Sequence, residues 1–298
     1  MPESSNGSYA VKQELARRIT MWNSLHTAGG PKLAHPTLLR ELGIYGGGQG
    51  IWVNKQRTGT LTESGTGVTV GVLHTGRTYA DDLSTDGVLY HYPATNRPPG
   101  RDLSEINATK AAGTMALPVF VITYSDSSPG KRNVHLGWVE EWDDSLGLFL
   151  IAFSDDVRSR QLPTEPEEPF QLTEKRKHVK REVKARPGQS HFSFYVFQRY
   201  GRRCAVCSLS VPEVLDAAHI VPDRHEGSYD PRNGLVLCAV HHRAFDAGLF
   251  AIEPNTLALH YRASGPDANS LRIERQTLTH LPKQPHQNAL RWRWTRWQ

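Results

Sequence analysis

Cys204 and Cys207 form a CxxC knuckle, and Cys238 and His241 form a CxxH knuckle further along the chain. Each pair leaves room for a tight turn that aims both side chains at one ion. Two such pairs suit a tetrahedral, structural zinc. The chain has 3 cysteines and all lie in this set, so none is left for a disulfide, which fits a reducing cytoplasm. Three more residues stand between and after the knuckles: His219 in the apolar run VLDAAHIV, Asn233 in the turn-rich DPRNG, and His242 at the start of HHRAFD. A neutral histidine can take a proton from water near pH 7, so hydrolysis is the chemistry to look for.

The order His, Asn, His threaded through a zinc frame resembles the HNH nuclease family and its ββα-metal finger. The resemblance implies that His219 lies on a strand and is the general base. Asn233 then holds the loop and orients that base, and His242, on a helix, binds a catalytic metal. Asp246 follows His242 on the same helix face and could add an oxygen ligand for Mg²⁺ or Mn²⁺. An ion held this way, with open positions, polarises a phosphate and stabilises the leaving oxygen. Many family members carry a further metal ligand immediately before the base. Ala218 stands there in this chain, and Asp216 is the candidate substitute.

At 298 residues, the chain is long enough for two domains. A hydrophobic fraction of 38% and a mean hydropathy of −0.51 describe a soluble protein. No run approaches the roughly 20 apolar residues of a membrane helix, and MPESSNGSYAVKQE lacks the pattern of a signal peptide. A cytoplasmic protein is expected. A net charge of +5 and a pI near 9.1 permit a polyanionic partner.

The first part of the chain reads as a helix from Tyr9 to Leu25 and a short helical piece at TLLRELGI. Strands follow at IWV and VTVGVL. The glycines of Gly46–Gly50 lack the Gly-Lys-Ser/Thr ending of a phosphate loop. Next comes TYADDLSTDGVLYHY, then GRDLS and a helix from Asn107 to Ala116. LPVFVITY, HLGWVEEWDD and LGLFLIAF continue as strands, giving a curved sheet or a barrel.

The segment from Gly43 to Tyr124 resembles the SRA domain, also called YDG, which binds 5-methylcytosine by flipping the base into a pocket. Carried over by motif, Tyr79 and Tyr92 are the stacking rings, Asp82 pairs with the cytosine amine, and Gly100–Ser104 is the GRDLS segment. One extra residue between Asp82 and Tyr92 makes Tyr90 an alternative ring. Aromatic faces repay part of the unstacking cost, and a carboxylate accepts from the cytosine donor that thymine lacks. YPATNRPPG departs from the usual tail, so 5-hydroxymethylcytosine is also open as the target. His74, Arg77 and Arg101 are candidate DNA contacts.

A charged linker, PTEPEEP followed by TEKRKHVKREVKAR, leads to HFSFYVFQRYGRR, read as the helix that feeds the first knuckle. The tail RWRWTRWQ is open between an edge strand, a dimer contact and a DNA contact. The expected architecture is α+β, with an SRA/PUA-like domain at 1–155, a linker at 156–189 and a zinc-framed HNH domain at 190–298. That combination resembles modification-dependent restriction endonucleases. It implies a double-stranded DNA partner with modified cytosine, and cutting both strands favours a homodimer.

Overall fold

The computed structural model describes residues 4–46, 48, 50–75, 83–125, 127–155, 170–173 and 188–298. Tyr79, Asp82 and Arg77 lie outside the described residues. The chain divides into two compact units, Met1–Leu162 and Pro163–Gln298.

In the first unit, α1 (Ser4–Thr27) turns Met21, Trp22 and Leu25 into the core. On the same helix Arg18 is fully buried. Its Nη1 donates to the carbonyls of Thr69 and Pro118, each at 2.7 Å, and its Nε donates to Glu14 at 2.9 Å. Burial pushes this guanidinium down to about 10, with Glu14 opposing. One cation thereby ties α1 to the start of β2 (Thr69–His74) and to the entry of β4 (Val119–Tyr124).

The remaining strands are β1 (Ile51–Val53), β3 (Gly87–His91), β5 (Arg132–Asp143) and β6 (Leu148–Phe153). The sheet order is β1-β2-β4-β5-β6-β3, with β2–β4 parallel and the other pairs antiparallel. Alternation along β4 sends Phe120 and Ile122 to a cluster with Trp22, Leu39 and Leu136. Val119 and Val121 go to a second cluster with Val72, Ala112, Phe149 and Ile151. Short helices α2 (Pro36–Glu41) and α3 (Lys55–Thr58) flank β1.

The sheet is curved but, among the described residues, it is not a closed barrel, which corrects the barrel alternative. The Tyr90 hydroxyl of β3 donates to the Leu73 carbonyl of β2 at 3.4 Å, although β4, β5 and β6 lie between these strands in the sheet. A Cβ on Gly50 would come within 2.9 Å of that hydroxyl. A tyrosine side chain thus fills the gap where backbone pairing would have to close the ring. Helix α4 (Pro99–Thr114) starts earlier than expected, with proline at its first positions. The GRDLS segment anchors the loop before it. Asp102 accepts from the Thr95 amide at 2.8 Å, and Arg97 bridges Asp102 and Glu105.

In the second unit, the described residues 170–173, within the expected linker at 156–189, make contacts with the rest of the unit. Phe170 stacks on His286 at 3.7 Å, and the Leu172 carbonyl accepts from the Ser228 amide. Helix α5 (Gln189–Tyr200) precedes the antiparallel hairpin of β7 (Leu215–His219) and β8 (Gly234–Cys238). Helix α6 (Ala239–Asp246) follows at once, then a small pair of β9 (Phe250–Ile252) and β10 (Leu259–Tyr261). The tail is a helix, α7 (Gln287–Trp297), and not an edge strand. Its N-cap is His286, whose ring accepts from the Asn288 amide at 3.2 Å. No helix among the described residues is long and apolar enough to cross a membrane.

Candidate active site

Cys204, Cys207, Cys238 and His241 are all buried, and their ligand atoms lie within 4.8 Å of one another. Cys238 sits at the N-cap of α6 and His241 in its first turn, so the strand-to-helix turn forms the second knuckle. The Nε2 of His241 faces the Leu271 carbonyl at 2.9 Å. A carbonyl only accepts, so Nε2 carries the proton and Nδ1 offers its lone pair to the cluster. Nδ1 stands 3.0 Å from Cys238 Sγ and 3.5 Å from Cys204 Sγ. Such an outer contact fixes the orientation of a ligating histidine. Burial, reinforced by the nearby Cys204 and Cys238, pushes the Cys207 thiol up to about 12. Crowded, buried thiols ionise together only around a cation. The donor set fits a four-coordinate ion.

Two strand residues of β7 reach different helices. Asp216 Oδ2 meets His242 Nδ1 at 2.9 Å, on the α6 side. His219, at the end of the strand, packs against α5, with the Phe192 ring stacked on it at 3.7 Å and 11°. Tyr229 closes the edge of the same imidazole at 5.6 Å and 72°.

Asn233 is fully buried. Its Oδ1 accepts from the Val221 amide at 2.9 Å, and its Nδ2 donates to the carbonyls of Val221 and Ser228 at 3.1 and 2.8 Å. Its own carbonyl accepts from the Ile220 amide. The segment that leaves His219 is thereby clamped to the segment that enters β8. The 3-10 turn Pro231–Asn233 is itself capped by Asp230, which also pairs with Arg232 at 2.6 Å.

His242 lies between two carboxylates. Its Nδ1 faces Asp216, and its Nε2 stands 3.5 Å from Asp246 Oδ2. The two ring nitrogens point in different directions, so a single ion takes the imidazole with one of these carboxylates, and the other holds the ring in place. Both pairs are part-exposed, which leaves room for water and a phosphate. Ala218 is fully buried and offers no ligand.

Three residues in this region carry no signal in the motif. Phe192 belongs to an ordinary aromatic run. Gly234 pairs with His219 across the hairpin, and a Cβ there would lie 2.9 Å from Phe192 Cζ and collide with Val196. Arg293 of α7 donates to the carbonyls of Ile220 and Phe245 and stands 3.6 Å from Asp246. Only its position in an Arg/Trp-rich tail hinted at a role.

In the first unit, Tyr90 is 9% exposed and belongs to the core. The Tyr92 hydroxyl donates to Asp144 at 2.9 Å, its ring packs on Phe149 at 4.5 Å, and Lys110 lies 5.8 Å from its centroid. Burial, with Asp144 adding, raises its phenol above the usual range. His74 is buried at the end of β2. Arg101 is half-exposed on α4, 3.9 Å from Glu105.

Residues 204–253 match a protein family described as HNH endonuclease. None of the curated proteins matches the sequence. Among solved structures, a modification-dependent TagI restriction endonuclease is similar at 16% identity and a TM-score of 0.35, over 89% of this chain and 91% of that one.

Proposed function

We propose that this chain, a metal-dependent nuclease with an HNH endonuclease domain at residues 204–253, recognises DNA carrying 5-methylcytosine or 5-hydroxymethylcytosine and hydrolyses phosphodiester bonds nearby. The observation that carries the nuclease site is the arrangement around one hairpin and helix: His219 stacked and held, Asn233 clamping its loop, and His242 set between two carboxylates. In this reading His219 accepts the proton of the attacking water. Asn233 keeps the imidazole oriented through the Ile220–Val221 backbone. His242 and Asp246 hold a Mg²⁺ or Mn²⁺ ion, with Asp216 fixing the imidazole from its Nδ1 side. The ion, when bound, supplies a Lewis acid for the phosphate and the leaving oxygen. Zinc in the Cys204, Cys207, Cys238 and His241 cluster is structural, since all four positions are taken by protein.

Base recognition is supported by the sequence of the first unit. Tyr79 and Asp82 belong to a segment like that of SRA domains, and the GRDLS segment opens α4. In this reading Tyr79 and Tyr92 stack on a flipped cytosine and Asp82 accepts from its amine. The protein would then serve in restriction of modified foreign DNA, as a homodimer that brings one site to each strand. A second reading, in which the first unit reads another modification or a DNA structure, is favoured by Tyr92, whose hydroxyl and ring are already engaged by Asp144 and Phe149.

The test uses identical duplexes containing cytosine, 5-methylcytosine or 5-hydroxymethylcytosine, each incubated with Mg²⁺ and with Mn²⁺. Cutting of modified duplexes alone is expected, and H219A should bind without cutting. Equal cutting of all duplexes removes the base-reading claim and keeps the nuclease.

A further inference from the structure

Three segments of the second unit meet at one guanidinium. Arg293 Nη1 donates to the Ile220 carbonyl at 3.2 Å, and Nη2 donates to the Phe245 carbonyl and stands 3.6 Å from Asp246 Oδ1. The guanidinium lies over the Phe245 ring, 3.7 Å from its centroid. Ile220 directly follows His219, and Asp246 is the last residue of the helix that bears His242. We propose that Arg293 is a positioning residue of the nuclease site: it braces the base-bearing strand against the metal-binding helix and orients the Asp246 carboxylate toward His242. The inference rests on the reading of His242 and Asp246 as metal ligands.

The physical case begins at the end of α6. An aspartate in the last turn of a helix faces the negative end of the macrodipole, and the final carbonyls there have no partner within the helix. The Phe245 carbonyl accepts from the Gly248 amide at 3.0 Å and also from Arg293, whose positive charge stands beside Asp246. With Oδ1 turned to Arg293, Oδ2 of Asp246 is left 3.5 Å from His242 Nε2. A planar fork of rigid donors can span two carbonyls and a carboxylate, which a lysine ammonium on a flexible stem does less well. The guanidinium is itself held in place by its helix. Trp292 packs near His225 at 5.2 Å, and Trp297 Nε1 donates to the Gly248 carbonyl at 2.8 Å.

The experiment is a Mn²⁺ titration of the full chain, with its structural metal retained and no DNA present, read by the EPR signal of free Mn²⁺. Wild type, R293M, R293K and D246N are compared, and cleavage rate is then followed against Mn²⁺ concentration. R293M is expected to weaken Mn²⁺ binding about 10- to 100-fold, the range seen when an outer partner of a metal ligand is removed. R293K should weaken it less, and saturating Mn²⁺ should restore part of the kcat of both. Wild-type Mn²⁺ affinity in R293M, alongside weakened binding in D246N, overturns the role of Arg293 alone. Wild-type affinity in D246N overturns the metal-ligand reading on which it rests. If R293M does not fold, R293K decides by the same titration, and wild-type affinity there overturns the inference.

Discussion

The ring of Phe192 lies flat on the imidazole of His219, with centroids 3.7 Å apart and planes 11° from parallel. Phe192 is fully buried in α5, so the helix, and not solvent, sets the orientation of the histidine. The close approach depends on Gly234, the cross-strand partner of His219. A methyl group there would meet Val196 and Phe192, and a crowded core costs about 1–3 kcal/mol. G234A should therefore fold with its structural metal in place but lose kcat by about 10- to 100-fold, the scale of a displaced catalytic group. Steady-state kinetics beside metal analysis checks this. Wild-type kcat in a folded G234A would remove the helix from the orientation of His219.

Asn233 contributes through hydrogen bonds at both ends of its amide. N233A leaves the Val221 amide and the carbonyls of Val221 and Ser228 without that partner. Stranding buried polar groups costs about 1–3 kcal/mol each, so a loss of roughly 3 kcal/mol in unfolding free energy is expected from denaturant titration. N233D should be as damaging, because a carboxylate cannot donate to the two carbonyls. A stable N233D would contradict the assigned amide orientation.

The Cys204, Cys207, Cys238 and His241 cluster predicts a bound zinc in each purified chain, measurable by mass spectrometry of the metal. Removing it with a chelator should unfold the surrounding finger, since such ions contribute about 10–16 kcal/mol in small zinc domains. Far-UV circular dichroism and the melting temperature read that loss. Unchanged melting after complete zinc removal would make the cluster dispensable to the fold.

The motif residues were legible because their chemistry is local: two knuckles, a histidine closing an apolar strand, and a histidine and aspartate one helical turn apart. The helices and most strands were legible for the same reason, from period and turn residues. Phe192, Gly234 and Arg293 were not. Their importance comes from contacts between segments far apart in the chain, and neither an aromatic run nor an Arg/Trp tail says which member will face the site. The tail was open between three roles because RWRWTRWQ alternates like a strand. It becomes a helix, capped by His286 and fastened to the rest of the unit through Arg293 and Trp297. Tyr90, two residues from a motif position, belongs to the core cluster with Ile51, Val72 and Phe149, a placement that neither motif nor period reports.

His135 of β5 makes the stability of the first unit depend on pH. It stacks on Phe153 at 4.4 Å and 8°. Burial holds its pKa below the ordinary 6.5, with Asp155 opposing and Lys32 assisting. The unfolded chain therefore binds the proton more readily. The stability this histidine contributes is present above pH 6.5 and is lost as pH falls below that value toward the folded pKa. H135Q should show a shallower decline of melting temperature between neutral and mildly acidic pH than wild type. An unchanged slope would place the acid sensitivity elsewhere.

His242 gives the last discrimination, because its ring nitrogens address different carboxylates. If the ion sits at Nε2 with Asp246, then Nδ1 donates to Asp216, and Asp216 acts by holding the tautomer and the ring plane. D216N keeps an oxygen that can accept that proton, so it should bind Mn²⁺ nearly as well as wild type. D246N removes a charged ligand and should bind Mn²⁺ more weakly. D216A, with no acceptor, should fall between them in Mn²⁺ affinity and lose kcat, since a freed ring no longer presents Nε2 in one orientation. The opposite ranking, with D216N weaker than D246N, would move the ion to Nδ1. Asp216 would then do the work of the ligand that Ala218 cannot supply, and the Asp246–Arg293 pair would be left as a brace for the helix.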